Sequence, residues 1–257
     1  MTGVQTCALP ICFPVTIRDV IKEISMDTPI IIVGVGSIGS YATLALAKLG
    51  FTNILVIDDG IVEEENISPQ LYRLSDIGRP KVDALKTQVR MMTGSDLRVF
   101  NGRMESMGDD LTSKALAEMM TAQHNEANKD PNASIKPAIV IMACDSMQAR
   151  SNIFEYVSEM WSAEKDYYID ARMAIEFLTI YSFNHTKENR EAYNRTLFSD
   201  ADAVQEACTN KAISYTSAIA GGLIAKNVLD TLRGNHNKGN LRTIQFDIGS
   251  LDMLVMK

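Results

Sequence analysis

Residues 30–59 read IIIVGVGSIGSYATLALAKLGFTNILVIDD, and the order of residue types in this stretch decides the fold. Ile30 to Val33 are a β-branched run bounded by Pro29 and Gly34, the pattern of a parallel strand buried on both faces. Residues 37–49 then carry apolar side chains at helical spacing and stop at Gly50, a natural helix terminator. Residues 53–57 are a second apolar run, closing on Asp58 and Asp59. Strand, glycine turn, helix and strand make one β-α-β unit, for which a right-handed crossover is expected. The turn is Gly34-Val35-Gly36-Ser37-Ile38-Gly39, a G-x-G-x-x-G after a strand and at the head of a helix. Gly34 permits the tight turn, Gly36 lets backbone approach a nucleotide, and Gly39 lets the helix lie close to the strand. The helix N-terminus offers unpaired N–H groups and a favourable dipole to phosphate. Asp58 lies about 20 residues past the last glycine, where a carboxylate accepts hydrogen bonds from ribose hydroxyls. NAD and ATP both satisfy these features; the alternative is a glycine-rich turn that holds no ligand.

The rest of the chain extends the pattern. Residues 13–25 have the spacing of a short amphipathic helix, 79–93 of a helix entered through Pro80, and 96–100 of a third strand. Residues 108–120 read as a helix and 124–136, HNEANKDPNASIK, as a surface loop. Another buried strand is expected over 138–143, a helix over 147–161, and strands near 167–170 and 177–183. Residues 190–205 are polar and read as irregular. Residues 214–232 have helical length, with Ala218, Ala220, Gly221 and Gly222 suited to close packing, and 242–247 with 253–256 suggest a terminal hairpin. No repeat or long linker divides the chain. The expectation is one doubly wound, Rossmann-like α/β domain with a mainly parallel sheet.

Composition narrows the function classes. Lys and Arg number 25 against 32 Asp and Glu, a net charge of −7 that argues against a generic nucleic-acid binder. With 46% apolar and 22% charged residues the chain is globular rather than disordered. No apolar run approaches the roughly 18 residues of a membrane span. The cysteines, Cys7, Cys12, Cys144 and Cys208, are scattered without a C-x-x-C pair, which fits a reducing, cytoplasmic setting. His124, His185 and His236 lack metal-ligand spacing. Residues 1–11, MTGVQTCALPI, resemble the conceptual translation of a sequencing adapter, so the domain is taken as 13–257.

The residues beyond Asp58 separate ATP from NAD. Asn66-Ile67-Ser68-Pro69-Gln70 and Asp76-Ile77-Gly78-Arg79-Pro80-Lys81 bring polar side chains, with Arg73, Arg79 and Lys81, to a place where cations suit a triphosphate better than a neutral nicotinamide. These motifs, with the glycines and Asp58, resemble the ThiF/MoeB/ubiquitin-activating enzyme superfamily, whose members show N-x-x-R-Q followed by D-I-G-x-P-K. Cys144-Asp145-Ser146-Met147-Gln148-Ala149-Arg150 is similar to the family's C-x-D-N-x-x-x-R. The motifs run in the family's order from Gly34 to Arg150, and weaker likeness reaches about residue 232.

The resemblance implies ATP and Mg²⁺, and adenylation of a carboxylate, most readily the C-terminal glycine of a ubiquitin-like or sulfur-carrier protein, by a homodimer. On matching positions it puts Asp58 on the ribose, Asn66, Gln70 and Lys81 on the phosphates, and Asp145 on Mg²⁺ or the α-phosphate. Asp145 also reads as a helix N-cap. Pro69 stands where the family has arginine, and Arg73, one helical turn on, is the substitute; the family's N-terminal arginine has Arg18 as its counterpart, and its paired C-x-x-C zinc motifs are absent. Cys208, with Lys211 close by and a helix ahead, is either a thioester or persulfide carrier or a packing residue. Arg150 reads as an exposed helix residue or ion-pair partner, and Arg172 and Glu176 as facing a substrate tail or as a structural ion pair. Three other readings stay open: a relative of the tRNA threonylcarbamoyladenosine dehydratases, an NAD-dependent oxidoreductase, and a nucleotide-binding scaffold whose chemistry has decayed.

Overall fold

Three tetrads of aliphatic residues, Ile30–Val33 (β1), the first four residues of Ile54–Asp58 (β2) and Ile139–Met142 (β4), form the centre of the sheet because both faces of each are covered. The computed structural model describes residues 24–103, 138–160, 166–199, 213–235 and 240–256. In chain order its other elements are α1 (Ser37–Leu49), 3-10 turns at Glu64–Asn66 and Leu74–Asp76, α2 (Lys81–Thr93) and β3 (Arg98–Asn101), then α3 (Met147–Met160), β5 (Tyr167–Ala174), β6 (Phe177–Asn184), α4 (Lys187–Asn194), α5 (Ser214–Leu232), β7 (Arg242–Asp247) and β8 (Asp252–Met256). The readings made for residues 1–11, Arg18, 108–120, 124–136, Cys208, Lys211 and His236, and for most of 13–25, lie outside the described residues.

The strands make one sheet in the order β3-β2-β1-β4-β5-β6-β7-β8. Pairing is parallel from β3 through β5 and antiparallel from β5 to β8. The sheet is thus Rossmann-like in the half that carries the glycine turn, and the expected terminal hairpin is β7–β8.

Strand alternation sorts the core into two layers. Ile30, Ile32, Ile54, Val56, Ile139 and Ile141 meet α1, α2 and α5 through Leu46, Leu85 and Ile224. Ile31, Val33, Leu55, Ile57, Val140 and Met142 meet α3 and α4 through Ile153, Phe154 and Tyr193. Both layers rest on one-residue alternation, so a register slip would exchange the entire apolar set between them. The small residues of α5 serve the first layer: a Cβ at Gly221 would stand 2.7 Å from the Tyr41 carbonyl carbon of α1, whereas Gly222 faces open space. Gly50 ends α1 at φ 98° and Gly94 ends α2 at φ 77°, each in the left-handed conformation expected of a terminal glycine.

One expectation is corrected. Residues 190–205, read as irregular, begin inside α4. Thr186 Oγ1 caps that helix by accepting from the Asn189 N–H at 3.3 Å, and the fully buried Tyr193 anchors it to the sheet. A single aromatic anchor among polar neighbours leaves no helical apolar stripe to detect. No helix among the described residues is long and apolar enough to cross a membrane.

Candidate nucleotide site

The strand order reverses between β1 and β4, and an open α/β sheet places its ligand crevice at the carboxyl ends of such a pair. Gly34 follows β1 and Ala143 follows β4, and the two backbones touch. With φ 88°, Gly34 occupies the left-handed region, and a Cβ there would lie 2.7 Å from the Ala143 carbonyl oxygen. A Cβ at Gly39 would stand 1.9 Å from the Gly34 carbonyl oxygen, so the helix start closes directly on the turn. Gly36 differs from both: its nearest neighbour would be Gln70 Nε2, at 3.9 Å. The first and third glycines are demanded by the protein, and the second leaves room above the turn.

Asp58 faces this turn from the end of β2. Its Oδ2 accepts from the Val35 N–H at 2.8 Å and its Oδ1 from the Gly60 N–H at 2.7 Å, which leaves lone pairs on both oxygens for further donors. On the other side of Val35, Tyr72 Oη donates to the Val35 carbonyl at 2.7 Å. Burial, with the charges of Asp58 and Asp76 behind it, pushes that phenol far above its usual range, so it stays a donor. Lys81 begins α2, and its stem crosses Gly60, where a Cβ would come within 3.2 Å of Lys81 Cδ and 2.8 Å of Asp58 Oδ1. Gly60 is therefore what lets Lys81 lie beside Asp58.

The segment between them is folded to present Gln70. Asn66 is buried; its Oδ1 accepts from the Glu63 N–H at 3.0 Å and its carbonyl accepts from the Gln70 N–H at 3.0 Å. Ser40 Oγ of α1 accepts from the Leu71 N–H at 3.1 Å and ties the segment to the glycine helix. Gln70 Oε1 is buried with no hydrogen-bond partner in the protein. The donor end of the same amide, Nε2, is the atom that borders the opening over Gly36, and a donor is what a phosphate oxygen requires. The residues present thus fit a nucleotide: an open second glycine, Asp58 for hydroxyls, and Gln70 and Lys81 for a polyphosphate.

Two cations expected on the phosphates are used elsewhere. Arg73 and Arg79 both turn to Asp76, which has no exposed surface: Arg73 Nε reaches Oδ2 at 3.2 Å and Arg79 Nη1 reaches Oδ1 at 2.8 Å. Gln88 Nε2 donates to the same carboxylate at 3.0 Å and to the Leu71 carbonyl at 2.6 Å. Burial alone would raise the Asp76 carboxyl, but the Arg73 side chain and backbone and then Arg79 outweigh it and hold the group below the ordinary carboxylate value. A carboxylate without solvent needs countercharge, and the two arginines supply it. The placement of Arg73 expected to replace the family arginine at Pro69 thus gives way to a brace for the loop.

Asp145 stands exposed beyond β4, next to the segment that Gly34 touches. The helix cap read onto it belongs to Ser146, whose Oγ accepts from the Ala149 N–H at 3.1 Å. Among the described residues no three acidic, histidine or cysteine side chains cluster as a metal cage. One hard carboxylate oxygen suits Mg²⁺, which takes its other ligands from phosphates and water.

Beneath this turn lies a buried polar network. Arg150 of α3 is 4% exposed rather than solvated, and its guanidinium donates to Asp170 Oδ1, to the Cys144 carbonyl, and at 3.2 Å to the Ala171 carbonyl. Asp170, with no exposed surface, also accepts from Arg172 Nε at 2.8 Å and Tyr193 Oη at 2.9 Å. Arg172 binds Thr196 through its carbonyl at 2.8 Å and lies 4.6 Å from the Tyr181 ring centre. Arg172 is therefore in a structural ion pair, while Glu176 accepts from Tyr215 Oη. Tyr72, Gly60 and Asp170 have no reading in the sequence. The acid Asp76, flanked three residues away on each side by Arg73 and Arg79, was the one visible sign of a brace.

The fold is a Rossmann-like domain with a candidate nucleotide cradle at its switch point. A family model described as ThiF family matches residues 13–257, and the chain belongs to that family. It is 38% identical over 68 residues to the tRNA threonylcarbamoyladenosine dehydratase of Bacillus subtilis, covering 26% of this chain and 27% of that one. It is 29% identical over 130 residues to the sulfur carrier protein ThiS adenylyltransferase of Escherichia coli, covering 50% of this chain and 43% of that one. The matched stretches therefore span less than half of these relatives. The solved structure of E. coli MccB with ATP superposes with a TM-score of 0.62 at 16% identity, over 94% of this chain and 65% of that one, a likeness of fold.

Proposed function

We propose that the chain adenylates a carboxylate with ATP and releases pyrophosphate, the carboxylate being the C-terminal glycine of a ubiquitin-like or sulfur-carrier protein. The observation that carries this reading is the gathering of Asp58, Gln70 and Lys81 around the glycine turn and Gly60, with Asp145 just beyond the end of the neighbouring strand. In the reaction a carboxylate oxygen attacks the α-phosphorus in line, the bond from that phosphorus to the bridging oxygen breaks, and pyrophosphate leaves with the electron pair. The enzyme's work is positioning and charge neutralisation. Asp58 holds the ribose through its remaining lone pairs, Asn66 and Gln70 orient the phosphates, and Lys81 places a point charge beside them. Mg²⁺ held by Asp145 and the phosphates would offset the charge of the departing pyrophosphate. Arg73 acts at one remove, holding the loop that presents Gln70. Cys208 is the proposed acceptor of the acyl group or sulfur, and a homodimer the proposed assembly.

The match to the B. subtilis dehydratase favours one other substrate, a nucleoside carboxylate on tRNA, reached by the same adenylation step. ATP–pyrophosphate exchange, measured with candidate ubiquitin-like proteins and with modified tRNA, tests both. Exchange dependent on a carrier protein and lost in Asp145→Ala supports the first reading. Exchange dependent on tRNA alone transfers the assignment to the second, and calorimetric binding of NAD in preference to Mg-ATP removes both.

A further inference from the structure

We infer that Arg150, anchored by Asp170, is a positioning residue for Asp145: it fixes the turn after β4 that carries that carboxylate. The inference deepens the adenylation reading and rests on it. Arg150 joins the turn to the sheet interior, because its guanidinium donates to the Cys144 carbonyl on one side and to Asp170 and the Ala171 carbonyl on the other. Cys144 immediately precedes Asp145, and a Cβ on Gly34 would fall 2.9 Å from the Cys144 nitrogen, so a displacement here is felt at both the acid and the glycine turn. Asp170 is held in turn by Arg172 and Tyr193 and has no solvent to compensate for a lost partner.

The charges point the same way. Asp170 faces two guanidiniums, so this network carries one positive charge in excess, and Arg150 extends it to the carbonyl of the residue before the exposed Asp145. A buried single carboxylate would have sufficed to satisfy one arginine. Two arginines on Asp170 leave a cation in contact with the turn that carries Asp145. Lysine cannot replace this arrangement, since an ammonium lacks the planar fork that spans a carbonyl and a carboxylate together.

The test measures ATP affinity by calorimetry across a Mg²⁺ series for the full chain, alongside thermal stability. Arg150→Lys and the isosteric Asp170→Asn should each raise the Mg²⁺ concentration for half-maximal enhancement about tenfold, as loss of a group that orients a metal ligand does. Asp145→Asn should do the same, and adding Arg150→Lys to it should shift nothing further. Phe183→Leu, a truncation in the aromatic layer beside the network, should lower the melting temperature and leave the Mg²⁺ midpoint where it was. If Arg150→Lys and Asp170→Asn lower stability but leave the midpoint unmoved, or if the Arg150→Lys shift survives in Asp145→Asn, the positioning role is overturned. Should one of the two variants not fold, the other decides. Wild-type protein that binds no ATP at any Mg²⁺ concentration would instead bring down the adenylation reading, and this inference with it.

Discussion

Replacing Gly36 by alanine separates the fold from the ligand. The surrounding atoms leave room for a methyl group at this position: the nearest, Gln70 Nε2, is 3.9 Å away. The melting temperature should stay within about 3 °C of wild type. A nucleotide lying on the turn meets the methyl group directly. Displacing its phosphates by about 1 Å from Gln70 and Lys81 costs on the order of a hundredfold, or ~2.7 kcal/mol. Gly39→Ala should behave in the opposite way, because its Cβ would sit 1.9 Å from the Gly34 carbonyl oxygen, and overpacking of that severity costs about 3 kcal/mol or more. Calorimetry of Mg-ATP binding with differential scanning fluorimetry reads both. Wild-type ATP affinity in a well-folded Gly36→Ala protein would show that the nucleotide does not lie over the second glycine, and the site would have to be sought elsewhere.

Three further perturbations address the supports of the site. Asp76→Asn leaves Arg73 and Arg79 without countercharge and should cost about 2 kcal/mol, less than a fully buried pair because both guanidiniums are partly exposed. Since Asp76 titrates below its unfolded value, its contribution is present above about pH 4 and lost as pH falls further; acid unfolding followed by circular dichroism should lose that component in Asp76→Asn, and an unchanged acid limb would refute it. His185, lowered by burial and by Arg190, must charge on unfolding, so stability should fall as pH drops below about 6.5, and His185→Gln should flatten that limb of the melting-temperature profile. Gly221→Ala should cost about 1–3 kcal/mol by forcing α5 off α1, where the new Cβ would meet the Tyr41 backbone at 2.7 Å; a stable variant would mean that the two helices shift without penalty.

The parts of this molecule legible in its sequence are those decided by near neighbours. The glycine turn, its strand and its helix lie within Ile30 to Leu49, and each glycine's task follows from local geometry. The same holds for the terminal hairpin and the proline entry to α2. Arg73, Arg79 and Lys81 show where such reading fails, for they look alike as three cations within nine residues of loop and helix start. What separates them is a carboxylate buried by α2, which draws two of them away, and a glycine at position 60, which lets the third lie beside Asp58. Arg150 is harder still. Its partner Asp170 is 20 residues away and lies on a strand that must first pair with β4 before the two can meet. A spacing rule describes which side chains share a face of one element, but an ion pair between elements is set by sheet order. The division of cations into those that brace and those that face the cradle is therefore a property of the assembled sheet. Motifs locate the candidate site, and the countercharge of Asp76 and Asp170 decides which cations are left free of a buried partner beside it.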